Sequence, residues 1–278
     1  MSVQLSPIIA GVMNWGVWDK NLNTKEFTHL INLFIENGIT TFDHADIYGG
    51  YTTEEAFGKA LTESKIDRKK IQLITKCGIQ YTSVKRPENH IKHYEYSKDY
   101  IIWSAENSLK NLQTDYLDVL LLHRPSPLMQ ADEIAEAVSK LKADGKILSF
   151  GVSNFTSSQT ELLRQKTDVS FNQVQFSATH HEAMLDGSFD YMQIHNIKPM
   201  AWNPLGTVFR ENTDQTFRLR QLLAKLVEKY HMGSDIILLA WIMQHPAGIS
   251  PVAGTVNSGR IQQLMKAKSL VLDKQDWF

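Results

Sequence analysis

The chain has 278 residues, 42% of them hydrophobic, with 29 Lys and Arg against 30 Asp and Glu. That length can bury a full core, and the near-neutral balance, with no tail of like charges, argues against nucleic acid or an anionic membrane surface as partner. The lone cysteine, Cys77, excludes an internal disulfide; no apolar stretch could span a bilayer, and the Met-Ser-Val-Gln-Leu-Ser-Pro start carries no export-signal pattern, so a cytoplasmic protein is expected.

Along the chain the hydrophobic period switches repeatedly between strand-like and helix-like. Ile8 to Met13 reads as the first strand, followed by a helix from about Thr24 to Asn37 that Gly38 ends as a C′ residue. Ile39 to Asp43 is the second strand, with a helix over Thr53 to Leu61. Ile71 to Lys76 is the third, followed by a long polar loop and a helix over Lys98 to Leu112. The fourth is Leu117 to Leu122, with a helix over Met129 to Ala143; the fifth is Leu148 to Val152, with a helix over Ser157 to Gln165. Phe171 to Phe176, Lys198 to Trp202 and Ile249 to Val252 complete the strands. Helices are expected at about Thr216 to Tyr230, Ser234 to Gln244 and Asn257 to Ala267. Eight strands alternating with at least eight helices predict an α/β fold, a (β/α)8 TIM barrel spanning residues 1–278 as one domain. The competing doubly wound sheet needs a G-x-G-x-x-G after its first strand, and the chain has none.

A parallel barrel gathers the residues that follow its strands on one rim, however distant in sequence. Asp43, Tyr48, Lys76 and His123 all lie at or just past such ends. Singly each has a plain explanation: a helix cap, a loop tyrosine, a solvated lysine, a core histidine. Four after three consecutive strands point to proton transfer. An ammonium packed between a carboxylate and a phenol favours phenolate, so the Tyr48 pKa is expected to fall toward working pH, with the imidazole orienting a carbonyl oxygen.

The remaining strand ends carry Ser153 and Asn154, Gln173, and Trp202, groups suited to a carboxamide-bearing ring stacked on an aromatic face. After the eighth strand, Gly254, Thr255, Asn257, Ser258 and Arg260 meet a helix N-terminus, a setting suited to phosphate. Capping is the competing explanation at each of these positions. Cys77 reads as a buried structural thiol, and His90, His93, His180 and His181 read as solvated loop histidines rather than metal ligands. The loop from Gln80 to Tyr96, with Tyr81, Tyr94 and Tyr96, is expected to overhang the rim, either as cover or as part of a substrate pocket.

These motifs together resemble the aldo-keto reductase family over nearly the whole chain. Phe42-Asp43-His44-Ala45-Asp46-Ile47-Tyr48-Gly49 is similar to its D-x-A-x-x-Y-G signature. Ser108 to Leu112 through Tyr116-Leu117-Asp118 to His123-Arg124-Pro125 resembles a second signature. Gly151-Val152-Ser153-Asn154-Phe155, Asn172-Gln173 and Trp202-Asn203-Pro204-Leu205-Gly206 match further hallmarks, and the whole is closest to a bacterial branch.

The resemblance implies an NADPH-dependent enzyme that reduces an aldehyde or ketone to an alcohol, with a small carbonyl compound as its partner and a monomer as its expected state. It makes Tyr48 the general acid, tuned by Lys76 and Asp43, with His123 placing the carbonyl. It assigns Ser153, Asn154 and Gln173 to the nicotinamide carboxamide and Trp202 to the ring. Asn203, Leu205, Gly206 and Arg210 fall along the pyrophosphate, and Thr255, Asn257 and Arg260 around the 2′-phosphate. Gly254 stands where many members have lysine, and Gln263 and Leu264 replace a usual Glu-Asn pair, so NADPH preference rests chiefly on Arg260. Asp276-Trp277-Phe278 fall at the start of an implied final helix that often lines the pocket. Two alternatives are a nicotinamide-binding, redox-sensing regulatory subunit and a lyase with Lys76 as a Schiff-base amine; Asp43, by keeping that lysine charged, argues against the lyase.

Overall fold

Eight short apolar runs close on themselves as a parallel barrel in the computed structural model, which describes residues 3–278. The strands are β1 Ile9–Gly11, β2 Thr41–Asp43, β3 Gln72–Cys77, β4 Leu117–Leu122, β5 Ile147–Ser153, β6 Phe171–Gln175, β7 Lys198–Trp202 and β8 Ser250–Ala253. Each pairs with its neighbours in sequence, and β1 with β8. Two of the expected strands, Leu117–Leu122 and Lys198–Trp202, agree to the residue. β1 is shorter than its apolar run: its last pair is Gly11 with Asp43, closed by Val12 N–H donating to Asp43 O at 3.1 Å.

Register decides which side chains enter the barrel, since successive residues of a strand face opposite ways. Asp43 pairs with Ile74, Ile74 with Val119, Lys76 with Leu121, Leu121 with Gly151, and Gly151 with Phe171. Ile9, Ile74, Val119, Leu121, Phe171, Met200 and Val252 form a buried cluster. Lys76, two residues beyond Ile74, and Gln173, two beyond Phe171, share those faces one layer nearer the C-terminal rim. Gly151 has to be glycine: a Cβ there would lie 2.6 Å from Phe171 O and 2.7 Å from Leu121 Cδ2.

Helices pack around the barrel. They are α1 Thr24–Glu36, α2 Thr53–Ser64, α3 Lys98–Leu112, α4 Ala131–Ala143, α5 Ser157–Arg164, α6 Ser188–Ile194, α7 Asp214–Tyr230, α8 Ser234–Met243 and α9 Ser258–Leu264. Asn23 and Glu26 start α1 with a reciprocal capping box, and Gly38, at φ +77°, follows its end as expected. The single helix expected over Asn257 to Ala267 is interrupted: α9 stops at Leu264 and α10 runs over Lys266–Ser269. There Lys268 N bonds Met265 O, an i to i+3 contact that breaks the α ladder. α11, Lys274–Trp277, stacks Trp277 on Trp241. Among the described residues no helix is long and apolar enough to cross a membrane.

Two features outside the barrel ladder shape the rim. Trp15, fully buried, packs on Phe27, Phe34 and Phe57 with ring centroids 5.4, 5.8 and 6.2 Å away, and so pins the loop that follows β1. The long loop after β3 contains a short antiparallel hairpin, Ile79–Gln80 with His93–Tyr94, where the sequence predicts only a polar loop. Two-residue strands are too short to show a period. Tyr51 fastens this hairpin to β2's loop, its hydroxyl accepting from Tyr81 N at 2.9 Å and donating to Ile79 O at 3.3 Å.

Candidate active site

The barrel ladder continues one step past the strand ends and delivers the expected residues together. His123 N bonds Cys77 O, Asn154 N bonds Gln173 O, and Asp46 N bonds Lys76 O, at 2.9, 2.9 and 3.0 Å. Asp43, Tyr48 and His123 line one cavity of about 980 Å³, and Lys76 lies beneath it. Asp43 does not cap the next helix, whose N-cap is Thr52.

Lys76, 1% exposed, places Nζ 2.8 and 2.7 Å from the two Asp43 carboxylate oxygens, 2.8 Å from His44 O and 3.3 Å from the Tyr48 hydroxyl. Burial alone would push its pKa down, but Asp43 and Tyr48 outweigh burial and the ammonium is held above its ordinary range. Gln173 reaches across from β6 and donates to Asp43 Oδ1 at 2.9 Å, a link between residues 130 apart in sequence.

Tyr48 corrects the sequence reading. Its pKa is raised rather than lowered: burial disfavours phenolate most, and the Asp43 charge works against the help from Lys76. The phenol is therefore protonated at neutral pH, beside an ammonium that stabilises the phenolate once the proton has left. His123, whose ring centroid is 6.2 Å from that of Tyr48, is pushed well below the ordinary histidine range by burial and by Lys76, Arg124 and Lys92. The imidazole is neutral, so one of its nitrogens is a donor; its Nδ1 is buried without a partner among the described residues.

A second polar layer lies behind these residues. Asp46 Oδ2 accepts from Ser104 Oγ at 3.2 Å and Glu54 Oε1 from Thr75 Oγ1 at 2.6 Å, while Asp46 Oδ1 and Glu54 Oε2 are buried without partners among the described residues. Burial, then Glu54, pushes Asp46 up to about 8; burial and Lys76 push His44 down to about 3. Cys77 is buried and raised well above the thiol range by burial, so it is inert as a nucleophile.

The other expected residues line the same cavity: Ser153, Asn154, Gln173, Trp202, Asn203, Leu205, Gly206, Arg210, Thr255, Asn257 and Arg260. Asn154, at φ +60°, donates to Ser153 Oγ at 2.8 Å and accepts from Trp202 Nε1 at 2.8 Å. Arg210 is anchored by Asn203 Oδ1 and Gly206 O, each at 2.7 Å. Asn257 caps α9 by accepting from Arg260 N at 3.0 Å, which leaves the exposed Arg260 side chain at the cavity mouth.

Several lining residues were not singled out from sequence: Met13, Asn14 and Trp18 after β1, Lys92 on the hairpin loop, Arg124, and Phe209. The strand-end rule that found Asp43 and Lys76 also applies to β1 and would have found Trp18. Its ring meets Tyr48 edge-on at 6.0 Å and Tyr81 at 6.0 Å, which ties the overhanging loop to the rim, and Lys92 brings that loop into the cavity wall. His90 and His93 lie exposed on that loop.

The aldo/keto reductase family model matches residues 7–278. The chain belongs to that family. It is 45% identical to the oxidoreductase YcsN of Bacillus subtilis (strain 168), with 99% of this chain and 93% of that one covered. It is 41% identical to the oxidoreductase YdhF of Escherichia coli (strain K12), over 95% and 89% of the two chains. A solved aldo/keto reductase from Klebsiella pneumoniae, in complex with NADP and acetate, superposes with a TM-score of 0.81 at 26% identity, covering 98% of this chain and 89% of that one. The family is one of oxidoreductases, and the branch is the one to which the sequence motifs pointed.

Proposed function

We propose that this reductase converts an aldehyde or ketone to the alcohol with NADPH as reductant and Tyr48 as general acid. The observation that carries the reading is the Tyr48 hydroxyl, 3.3 Å from Lys76 Nζ, in the wall of the cavity that Ser153, Asn154, Gln173 and Trp202 also line. The cavity fits the cofactor in donor chemistry. Side-chain amides and a hydroxyl gather beside an indole near Tyr48, and Arg210 and Arg260, with the capped start of α9, supply cationic donors for phosphates. When bound, the reduced nicotinamide supplies a hydride to the carbonyl carbon.

The protein's own groups do the rest. His123, neutral, donates an N–H to the carbonyl oxygen and fixes its position, and Tyr48 delivers its proton to that oxygen as negative charge develops. Lys76 steadies the phenolate left behind, and Asp43, tied to Lys76 and Gln173, holds the ammonium in place. Ser153, Asn154 and Gln173 receive the carboxamide, and Trp202 stacks on the ring. Asn203, Leu205, Gly206 and Arg210 follow the pyrophosphate; Thr255, Asn257 and Arg260 receive the 2′-phosphate. Lys76 is charged and its three N–H donors are taken by Asp43, His44 O and Tyr48, which leaves no neutral amine for Schiff-base chemistry. The sole cysteine is buried, which supports a cytoplasmic setting.

The deciding experiment follows NADPH absorbance while purified protein is offered simple aldehydes and ketones, and identifies the products. Alcohol formed in step with NADPH consumed is the expected result. No consumption with any carbonyl, despite NADPH binding, would refute the reading.

A further inference from the structure

The cavity wall beside Tyr48 and His123 carries two cations to which no role in holding the cofactor is assigned. Arg124 directly follows His123 off β4, and Lys92 projects from the overhanging hairpin loop; both line the cavity, as do Trp18 and Ile47. The Arg124 guanidinium lies 5.4 Å from the centroid of the Trp202 ring. It is also near enough to both the Tyr48 phenol and the His123 imidazole to bias their protonation, and Lys92 does the same to His123. These cations therefore sit at the reacting end of the cavity, away from Arg260.

Neither charge is neutralised by a carboxylate, and the Arg124 contact with Trp202 leaves its N–H donors free. Among the described residues, no carboxylate lies within ion-pair distance of Arg124 or Lys92, whereas Lys20, on the same wall, is paired with Asp19 at 3.1 Å and Lys76 is paired with Asp43. The Arg124 backbone is fixed: its N–H donates to Tyr96 Oη at 3.2 Å, and that hydroxyl donates to Arg124 O at 2.5 Å. The guanidinium itself has no hydrogen-bond acceptor among the described residues. Asp19, Asp43 and Asp235 also face the cavity: the first two each have their own lysine, and Asp235, at the start of α8, accepts from Ile236 N at 3.1 Å and makes no ion pair with Arg124 or Lys92. A half-buried guanidinium on a fixed backbone, with five N–H donors that no protein acceptor takes, matches a planar or tetrahedral oxyanion.

Resting on the reductase reading above, we infer that the substrate carries, besides its carbonyl, an anionic head group (a carboxylate, sulfonate or phosphate ester) received by Arg124 and assisted by Lys92. The carbonyl sits at Tyr48 and His123, and the anion fixes the rest of the molecule beside Trp18. Arg124 is then a specificity residue, with no part in the proton transfer.

The test compares two aldehyde pairs, each matched in size and differing only in charge: 4-carboxybenzaldehyde with 4-carbamoylbenzaldehyde, and 4-oxobutanoate with 4-oxobutanamide. A charge-assisted contact of this kind predicts kcat/KM about 10- to 100-fold higher for the carboxylate in at least one pair. Added salt should narrow the gap. Arg124→Gln should bring the ratio close to one, the loss falling on KM because the anion is held equally before and during the chemistry; Lys92→Gln should narrow it by a smaller factor. Reduction of both members of each pair with no preference for the anion overturns this inference and leaves the reductase reading standing. A preference that survives Arg124→Gln in full overturns the assignment to Arg124. If none of the four is reduced while other aldehydes or ketones are, this inference is overturned and the reductase reading stands; the reductase reading falls only if no carbonyl at all consumes bound NADPH.

Discussion

Lys76 and Asp43 meet on two oxygens at once, Nζ standing 2.8 Å from Oδ1 and 2.7 Å from Oδ2 in a buried layer of the barrel. Removing one partner of such a pair strands the other as a buried charge, which typically costs about 3 to 5 kcal/mol. Lys76→Met should lose that much stability, since Asp43 would keep only Gln173 as a donor side chain. Adding Asp43→Asn should restore much of it. Denaturant titrations of the three proteins check this, and a Lys76→Met variant as stable as the parent would contradict it.

Asp46 gives the fold an alkaline weakness. In the folded protein it holds its proton up to about 8, whereas the unfolded chain releases it near 3.8, so between these values the folded state binds more protons and loses stability as pH rises. His44 has the opposite sign: folded near 3 and unfolded near 6.5, it adds stability as pH rises through that window and nothing above it. From pH 6.5 to 8 the Asp46 slope is therefore unopposed by His44. It amounts to about 2 kcal/mol across that interval. Asp46→Asn should flatten this limb of the Tm–pH curve, and an unchanged slope in the variant would show that Asp46 is not its source.

The rim was legible because a parallel barrel converts sequence position into place: whatever follows a strand arrives on one side. That rule needs only the apolar runs, and it gathered Asp43, Tyr48, Lys76 and His123 without a contact being known. It could not foresee the Tyr48 pKa, which depends on burial and on an Asp43 charge that counters Lys76. Nor could it foresee Gln173 crossing the barrel to Asp43, because which strands face each other follows from register. The unpaired state of Arg124 was equally hidden, since it depends on which carboxylates lie elsewhere.

Arg260 lies exposed at the mouth of the cavity, and the capped start of α9 fixes its backbone, not its side chain. With Gly254 offering no second cation, Arg260→Ala should remove a charge-assisted contact of about 1.5 to 3 kcal/mol and weaken NADPH roughly ten- to hundred-fold. NADH should be nearly unaffected. A fluorescence titration that finds equal losses for both would show that Arg260 does not read the 2′-phosphate.

Tyr48→Phe isolates the proton donor. The ring keeps its edge-on contacts with Trp18 and His123, and Lys76 loses one acceptor of four while keeping both Asp43 oxygens and His44 O. Stability should therefore change by no more than about 1 kcal/mol, the worth of one hydrogen bond. None of the groups assigned to the cofactor belongs to this residue, so NADPH affinity should stay near that of the parent. Carbonyl reduction should fall by about 10²- to 10⁴-fold, the usual contribution of a positioned general acid. A variant that binds NADPH and turns over slowly separates the chemistry from the binding. If Tyr48→Phe reduces simple aldehydes at the parent rate, the proton comes from elsewhere, and the neutral His123, whose Nδ1 has no partner among the described residues, becomes the group to test next.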